Sequence, residues 1–76
     1  MKVSTNGNDT VLMLHDGSDL FLHYGTPVAA HIPGRGFIRT AKKWSVTTSR
    51  HINEWAGFKV KDSEPQEFFT NMLKLL

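Results

Sequence analysis

Apolar and polar positions divide this chain into short extended runs followed by two helical ones. Residues 11–15 open the series as a strand, and His15-Asp16-Gly17-Ser18-Asp19 follows with an Asp-Gly pair suited to the positive φ of a hairpin turn. Leu20-Phe21-Leu22-His23-Tyr24 is aromatic-rich and strand-like. Gly25-Thr26-Pro27 is expected to interrupt pairing, because Pro27 has no N–H to donate and Gly25 weakens a strand interior. Extended structure resumes at Val28-Ala29-Ala30-His31-Ile32, with Val28, Ala30 and Ile32 on one face. Pro33-Gly34-Arg35-Gly36 is a turn and Phe37-Ile38-Arg39-Thr40 the returning strand, which completes an antiparallel meander of three or four strands. The polar, Gly- and Asn-rich residues 1–9 are expected to be loosely ordered.

The period then lengthens. Thr47 or Thr48 is placed to cap a helix whose inner side is Ile52, Trp55 and Ala56, and Gly57 suits the left-handed position after its end. Phe58-Lys59-Val60-Lys61 alternates apolar and basic as a half-exposed strand does. Ser63-Glu64-Pro65-Gln66 resembles a capping box, with Gln66 reaching back to Ser63. The helix that follows, from Glu64 to about Leu75, carries Phe68, Phe69, Met72, Leu73 and Leu76 on one stripe. The order β-β-β-β-α-β-α predicts an α+β fold, a small antiparallel sheet with two helices packed on one face.

Size limits what such a fold has to stabilise it. The chain of 76 residues is a single domain, residues 1–76, near the lower limit for a core without staples. It contains no Cys, so disulfides and thiolate zinc sites are excluded, and a reducing compartment suits it. No run approaches the roughly 20 apolar residues of a spanning helix, so no membrane association is expected.

Charge changes the picture more. Residues 20–53 contain no Asp or Glu, yet hold Arg35, Arg39, Lys42, Lys43 and Arg50. The seven acids (Asp9, Asp16, Asp19, Glu54, Asp62, Glu64 and Glu67) all lie outside, so the net +2 conceals a strongly basic centre. A concentrated positive field is information about partners, phosphate-rich ones above all.

Two groups of residues are candidates for chemistry. The first is the run Thr47-Thr48-Ser49-Arg50-His51-Ile52-Asn53, where hydroxyl and basic groups meet the unpaired N–H groups of a helix start. Arg50 and Asn53 share a side of that helix; the plainer role for the hydroxyls is capping, and for Arg50 an ion pair with Glu54 or solvent. The second group is Arg35, Arg39, Lys42 and Lys43 with Phe37 and Trp44 interleaved: cations that track phosphates, aromatics that stack on bases. The alternative puts both aromatics in the core and the charges on a solvated rim.

Enzymatic signatures are missing. His15, His23, His31 and His51 show no metal-ligand spacing, so no metal site is expected. Ser49 and His51 do not face each other on a helix, and no nucleophile elbow, carboxylate pair in the centre, phosphate-cradling loop or cofactor motif is present. A non-enzymatic protein is expected.

Tyr24, Thr26, Val28 and Ala29, followed by Trp44-Ser45, Thr47-Thr48-Ser49, His51 and Asn53, resemble the core of a family of small uncharacterised bacteriophage proteins. The pattern is Tyr-x-Thr-x-Val-Ala, a short hairpin, then aromatic-Ser-x-Thr-Thr-Ser-basic-His-x-Asn, over about residues 20–56. The resemblance implies a phage origin and a host-cytoplasmic setting, and it assigns no activity. Thr47, Thr48, His51 and Asn53 carry over as motif positions, while Arg35 lies outside the pattern. The leading expectation is a phage accessory protein that binds nucleic acid or a phosphate-rich partner through Arg35, Arg39, Lys42, Lys43, Arg50, His51 and Asn53. The second is a protein-interaction module that docks on a host protein and inhibits or redirects it; a homodimer is a third arrangement open to the chain.

Overall fold

The computed structural model describes residues 2–57 and 60–75. In chain order these form β1 (Lys2–Asn6), β2 (Asp9–Met13), β3 (Asp19–His23), β4 (Thr26–Ile32), β5 (Gly36–Thr40), α1 (Val46–Ala56), β6 (Ser63–Glu64) and α2 (Gln66–Lys74). The strands lie side by side in sequence order, antiparallel from β1 to β5 and parallel between β5 and β6. The expected α+β meander is therefore present, with a strand more at its start.

Residues 2–6 are that added strand rather than a loose beginning. Asn6 pairs with Asp9 across a two-residue loop in which Gly7 takes a φ of 62°, a conformation that glycine adopts without steric penalty. All five residues of β1 are exposed, so the backbone ladder to β2, not side-chain burial, holds it. The apolar pattern that marks the other strands has no reason to appear there.

The Gly25-Thr26-Pro27 segment does not interrupt pairing either. Tyr24 and Gly25, with φ of 53° and 78°, form the whole loop between His23 and its partner Thr26. Two positive φ values twist the chain in the sense that a tight hairpin needs. Pro27 sits opposite Leu22 and Ala29 opposite Phe21, which leaves Val28 as an extra residue in a β-bulge.

The bulge corrects a face assignment. Val28 packs with Ala29, Phe21 and Ile52, whereas Ala30 packs with Leu20, Leu22, Ile38 and Phe69, and Ile32 lies against that second cluster. Val28 is therefore on the face opposite Ala30 and Ile32, because one inserted residue shifts the two-residue alternation.

The helices also divide between the two faces, where packing on one face was expected. Ile52 and Trp55 of α1 cover Phe21, Val28 and Ala29; Phe69 of α2, with Phe68, Met72 and Leu73, covers Leu20, Leu22, Ala30 and Ile38. The reason is in β3 and β4, whose consecutive residues from Leu20 to Leu22 and from Val28 to Ala30 are all buried. A strand apolar on both faces needs a cover on each.

The C-terminal region departs from expectation at its entry. Phe58 and Lys59 of the expected strand lie outside the described residues, and Val60 and Lys61 are not in a strand. Extended pairing falls instead on Ser63 and Glu64, where the Arg39 amide donates to the Asp62 carbonyl and the Ala41 amide to that of Glu64. No capping box forms: Pro65 precedes α2 without a side-chain cap. The Gln66 side chain is used elsewhere. Its Oε1 accepts from Thr40 Oγ1 at 2.8 Å and Trp44 Nε1 at 3.1 Å, and its Nε2 donates to the Pro27 carbonyl at 2.6 Å. One amide thus ties the start of α2 to β4, β5 and the loop after β5.

Two-sided burial makes a paired prediction. Phe69→Ala, at a fully buried site, should cost about 3–5 kcal/mol, and Ile52→Ala on the other face about 2–5 kcal/mol. Either is large beside the total stability of a small domain. Urea denaturation of both variants checks this; an Ile52→Ala chain as stable as the parent would show that α1 does not cover the sheet.

Candidate functional site

Helix α1 positions three of the seven expected binding residues, Arg50, His51 and Asn53. It starts earlier than expected, because Ser45 rather than Thr47 or Thr48 is the cap: Ser45 Oγ accepts from the Thr48 amide at 3.1 Å. Thr48 is buried and its hydroxyl lies 3.1 Å from Ser45 Oγ, so capping and packing join at the first turn. Gly57 closes the helix at a φ of 99°, with its amide donating to the Asn53 carbonyl.

With Ile52 turned into the core, its neighbours project to either side, since successive helical residues are about 100° apart. Asn53 faces β5 and accepts from Arg39 Nη1 at 2.7 Å. His51 faces β2 and β3, its Nδ1 2.7 Å from Asp9 Oδ2. Arg50 is on the exposed outer side.

A groove of about 530 Å³ runs between the loop after β5 and the start of α1. Arg39, Lys42, Lys43, Trp44, Ser45 and Ser49 are among its lining residues, and among the described residues no carboxylate is. The first turn of α1 likewise contains no acid, so the partial positive charge of the helix start is uncompensated there. Trp44 is at the surface rather than in the core, 43% exposed, with Lys42 Nζ 4.1 Å from its ring centre and its indole N–H on Gln66. Phe37 is also partly exposed, with Trp55 and His31 edge-on against it.

Arg35 is separated from this group by its contacts. Its Nε donates to Asp62 Oδ2 at 2.7 Å and its Nη2 to Asp62 Oδ1 at 3.0 Å, while Nη2 also pairs with Glu64 at 2.7 Å. The guanidinium also lies over Phe68, on the α2 face. Of the seven expected binding residues, the structure gathers Arg39, Lys42 and Lys43 in the groove. Arg50 is beside it and Asn53 supports Arg39; Arg35 and His51 are engaged elsewhere.

The second concentration of polar groups was not foreseen. Asp9, at the start of β2, receives His23 Nδ1 at 2.7 Å on one carboxylate oxygen and His51 Nδ1 at 2.7 Å on the other. The two imidazoles lie with ring centres 4.5 Å apart. Burial alone would raise the Asp9 pKa, but the hydrogen bonds from His23 and His51 outweigh it and hold the carboxyl below its usual value. Among the described residues this is the group whose donor atoms, all within 4.8 Å of one another, could hold a metal ion.

The family model for a family of unknown function, DUF8033, matches residues 1–71. The chain belongs to the DUF8033 family. No curated protein and no solved structure matches it.

The fold gives the residues quoted between Tyr24 and Asn53 physical roles. Tyr24 makes the tight turn, Val28 the bulge, Ser45 and Thr48 the cap, while His51 reaches Asp9 and Asn53 reaches Arg39. Thr47 is exposed. The Asp9–His23 contact had one legible signal. Counting outward from the Asp-Gly turn pairs Met13 with Asp19 and therefore Asp9 with His23. His51, 42 residues from Asp9, gave none.

The Arg35 contact has a pH signature. Hydrogen bonding to Arg35 depresses the Asp62 pKa, so the pair stabilises the DUF8033 fold above the unfolded carboxyl value, about 3.9, and that contribution fades as pH falls through the lowered one. The pair is partly exposed, so the effect is modest and shrinks in salt. In acid titrations Asp62→Asn should be less stable than the parent at neutral pH, and the gap should close below pH 4. A constant gap would separate Asp62 from Arg35.

Proposed function

We propose that this DUF8033 domain is a non-enzymatic binding protein that takes nucleic acid, or another phosphate-rich partner, in the groove at the start of α1. The observation that carries the reading is the groove lining: Arg39, Lys42 and Lys43 converge there beside an acid-free helix start, with no carboxylate among the described lining residues. Phosphate oxygens suit such a surface, since they accept from lysine, arginine and first-turn N–H groups alike. Arg39, held by Asn53, keeps further N–H groups for a ligand, and exposed Arg50 extends the positive field along the helix.

Trp44 favours a single strand over a duplex. Its partly exposed ring is fixed from one side by Gln66 and stands on the groove wall, where an unpaired base can stack. Taken with the resemblance of residues 20–56 to phage proteins, the reading extends to a phage-encoded accessory factor acting in the host cytoplasm. Among the described residues no helix is long and apolar enough to cross a membrane.

A protein partner on the same surface is the second reading, and one observation favours it. Val46 is 88% exposed beside Trp44, so the rim offers an apolar contact that a polynucleotide would not need. A host enzyme docked there would be inhibited or redirected, with the lysines mainly speeding encounter.

Salt dependence separates the readings. Three or four phosphate contacts on a single strand give log K against log salt a slope of about −2 to −3. Lys42→Ala/Lys43→Ala should make that slope shallower by about 1.4, while Arg35→Ala should leave it unchanged. Fluorescence anisotropy with a labelled single-stranded oligonucleotide measures both. Binding indifferent to salt, or lost equally with Arg35→Ala, would overturn the assignment; no oligonucleotide binding alongside nuclease-resistant capture of one host protein would favour the second reading.

A further inference from the structure

We propose that Asp9, His23 and His51 form a binding site for a divalent transition metal of the Zn²⁺ class. Three elements supply the donors: β2 gives the carboxylate, β3 the buried His23, 5% exposed, and α1 the half-buried His51. Both imidazoles turn the same nitrogen, Nδ1, toward one carboxylate at 2.7 Å. All three donor atoms lie within 4.8 Å of one another. Two imidazoles and a carboxylate are a donor set suited to first-row metals such as zinc.

Electrostatics point the same way from a separate observation. A cavity of about 220 Å³ adjoins the cluster, lined by Asp9, His51 and Glu54 with Ser4 and Asn6 among the remaining residues. Among the described residues its lining has two carboxylates, Asp9 and Glu54, and no lysine or arginine, in a chain of net charge +2. Asp9 is partly buried, and the two side chains that meet it are imidazoles rather than lysine or arginine. A dication at that point would meet both carboxylates, whereas Arg39, Lys42 and Lys43 lie in the groove at the start of α1.

The rearrangement needed is one of side chains. Donors about 2.0–2.1 Å from a tetrahedral ion are about 3.3 Å apart, so each 2.7 Å contact opens by about 0.6 Å while the widest donor separation, within 4.8 Å, closes by at most about 1.5 Å. A neutral imidazole that hydrogen-bonds through Nδ1–H transfers that hydrogen to Nε2 and loses no net proton; an imidazolium releases one to solvent. Three protein donors leave a coordination position for water or another ligand, the pattern of open rather than closed zinc sites. Glu54 lines the same cavity one turn after His51, a second carboxylate beside the site.

The test is a titration of the chelator-treated full chain with ZnCl2, followed by calorimetry and by the imidazole ¹⁵N resonances. One ion per chain is expected, with the His23 and His51 nitrogens shifting together and those of His15 and His31 unmoved. His51→Gln, which keeps an amide donor for Asp9, and Asp9→Asn should each weaken Zn²⁺ binding by about 100-fold with an unchanged far-ultraviolet circular dichroism spectrum. Unmoved His23 and His51 nitrogens at equimolar Zn²⁺ would overturn the proposal, as would binding by folded His51→Gln at the parent's affinity. The resonances of the parent chain decide the matter even where a variant does not fold.

Discussion

Everything in this fold depends on β3 and β4 being buried on both faces. Leu20, Phe21 and Leu22 are consecutive, as are Val28, Ala29 and Ala30, and none of the six reaches solvent appreciably. Two adjacent strands with no wet side need cover above and below, which is why the helices separate to opposite faces. At about 1.5–3 kcal/mol for each large side chain removed from water, this arrangement is how a short chain without disulfides makes a sufficient core. The outer strands are subordinate. β1 is held by its ladder alone, and β6 is a two-residue pairing reinforced by Arg35.

The same constraint places the chemistry. Ile52 and Trp55 anchor α1 over Phe21, Val28 and Ala29, and Val28 reaches that face because the bulge moves it there. Once Ile52 is fixed, Asn53 meets Arg39 and His51 meets Asp9 without further design. The helix therefore has two differently charged surroundings. Its start adjoins a groove lined by cations, and its middle adjoins a cavity lined by carboxylates. The two proposals rest on that separation, an anion at the start of the helix and a cation at its middle.

Much of this was legible in the sequence where local rules suffice. The Asp-Gly turn, the Pro33–Gly36 region, the end of α1 at Gly57 and the apolar stripe of α2 each follow from residue chemistry over a few positions. What was not legible depends on pairing partners. β1 has no apolar alternation because nothing covers it, and the Tyr24-Gly25 turn hides in the sequence because tyrosine seldom takes positive φ. Ser63 and Gln66 have the spacing of a capping box, yet β5 offers Ser63 a ladder and Gln66 three partners. The acid-free segment predicted a basic surface, and Arg39, Lys42 and Lys43 form one. Arg35 left it because Asp62 and Glu64, distant in sequence, return to its side.

On the proposed reading, a phosphate-rich partner binds in the groove at the start of α1. Amide chemical-shift mapping of the ¹⁵N-labelled chain with a short single-stranded oligonucleotide tests it most directly. Perturbations should cluster at Lys42 to Arg50 and include the Trp44 indole N–H, leaving α2 and the Arg35 turn unmoved. Shifts centred on Arg35 and Phe68, or none at saturating oligonucleotide, would contradict it.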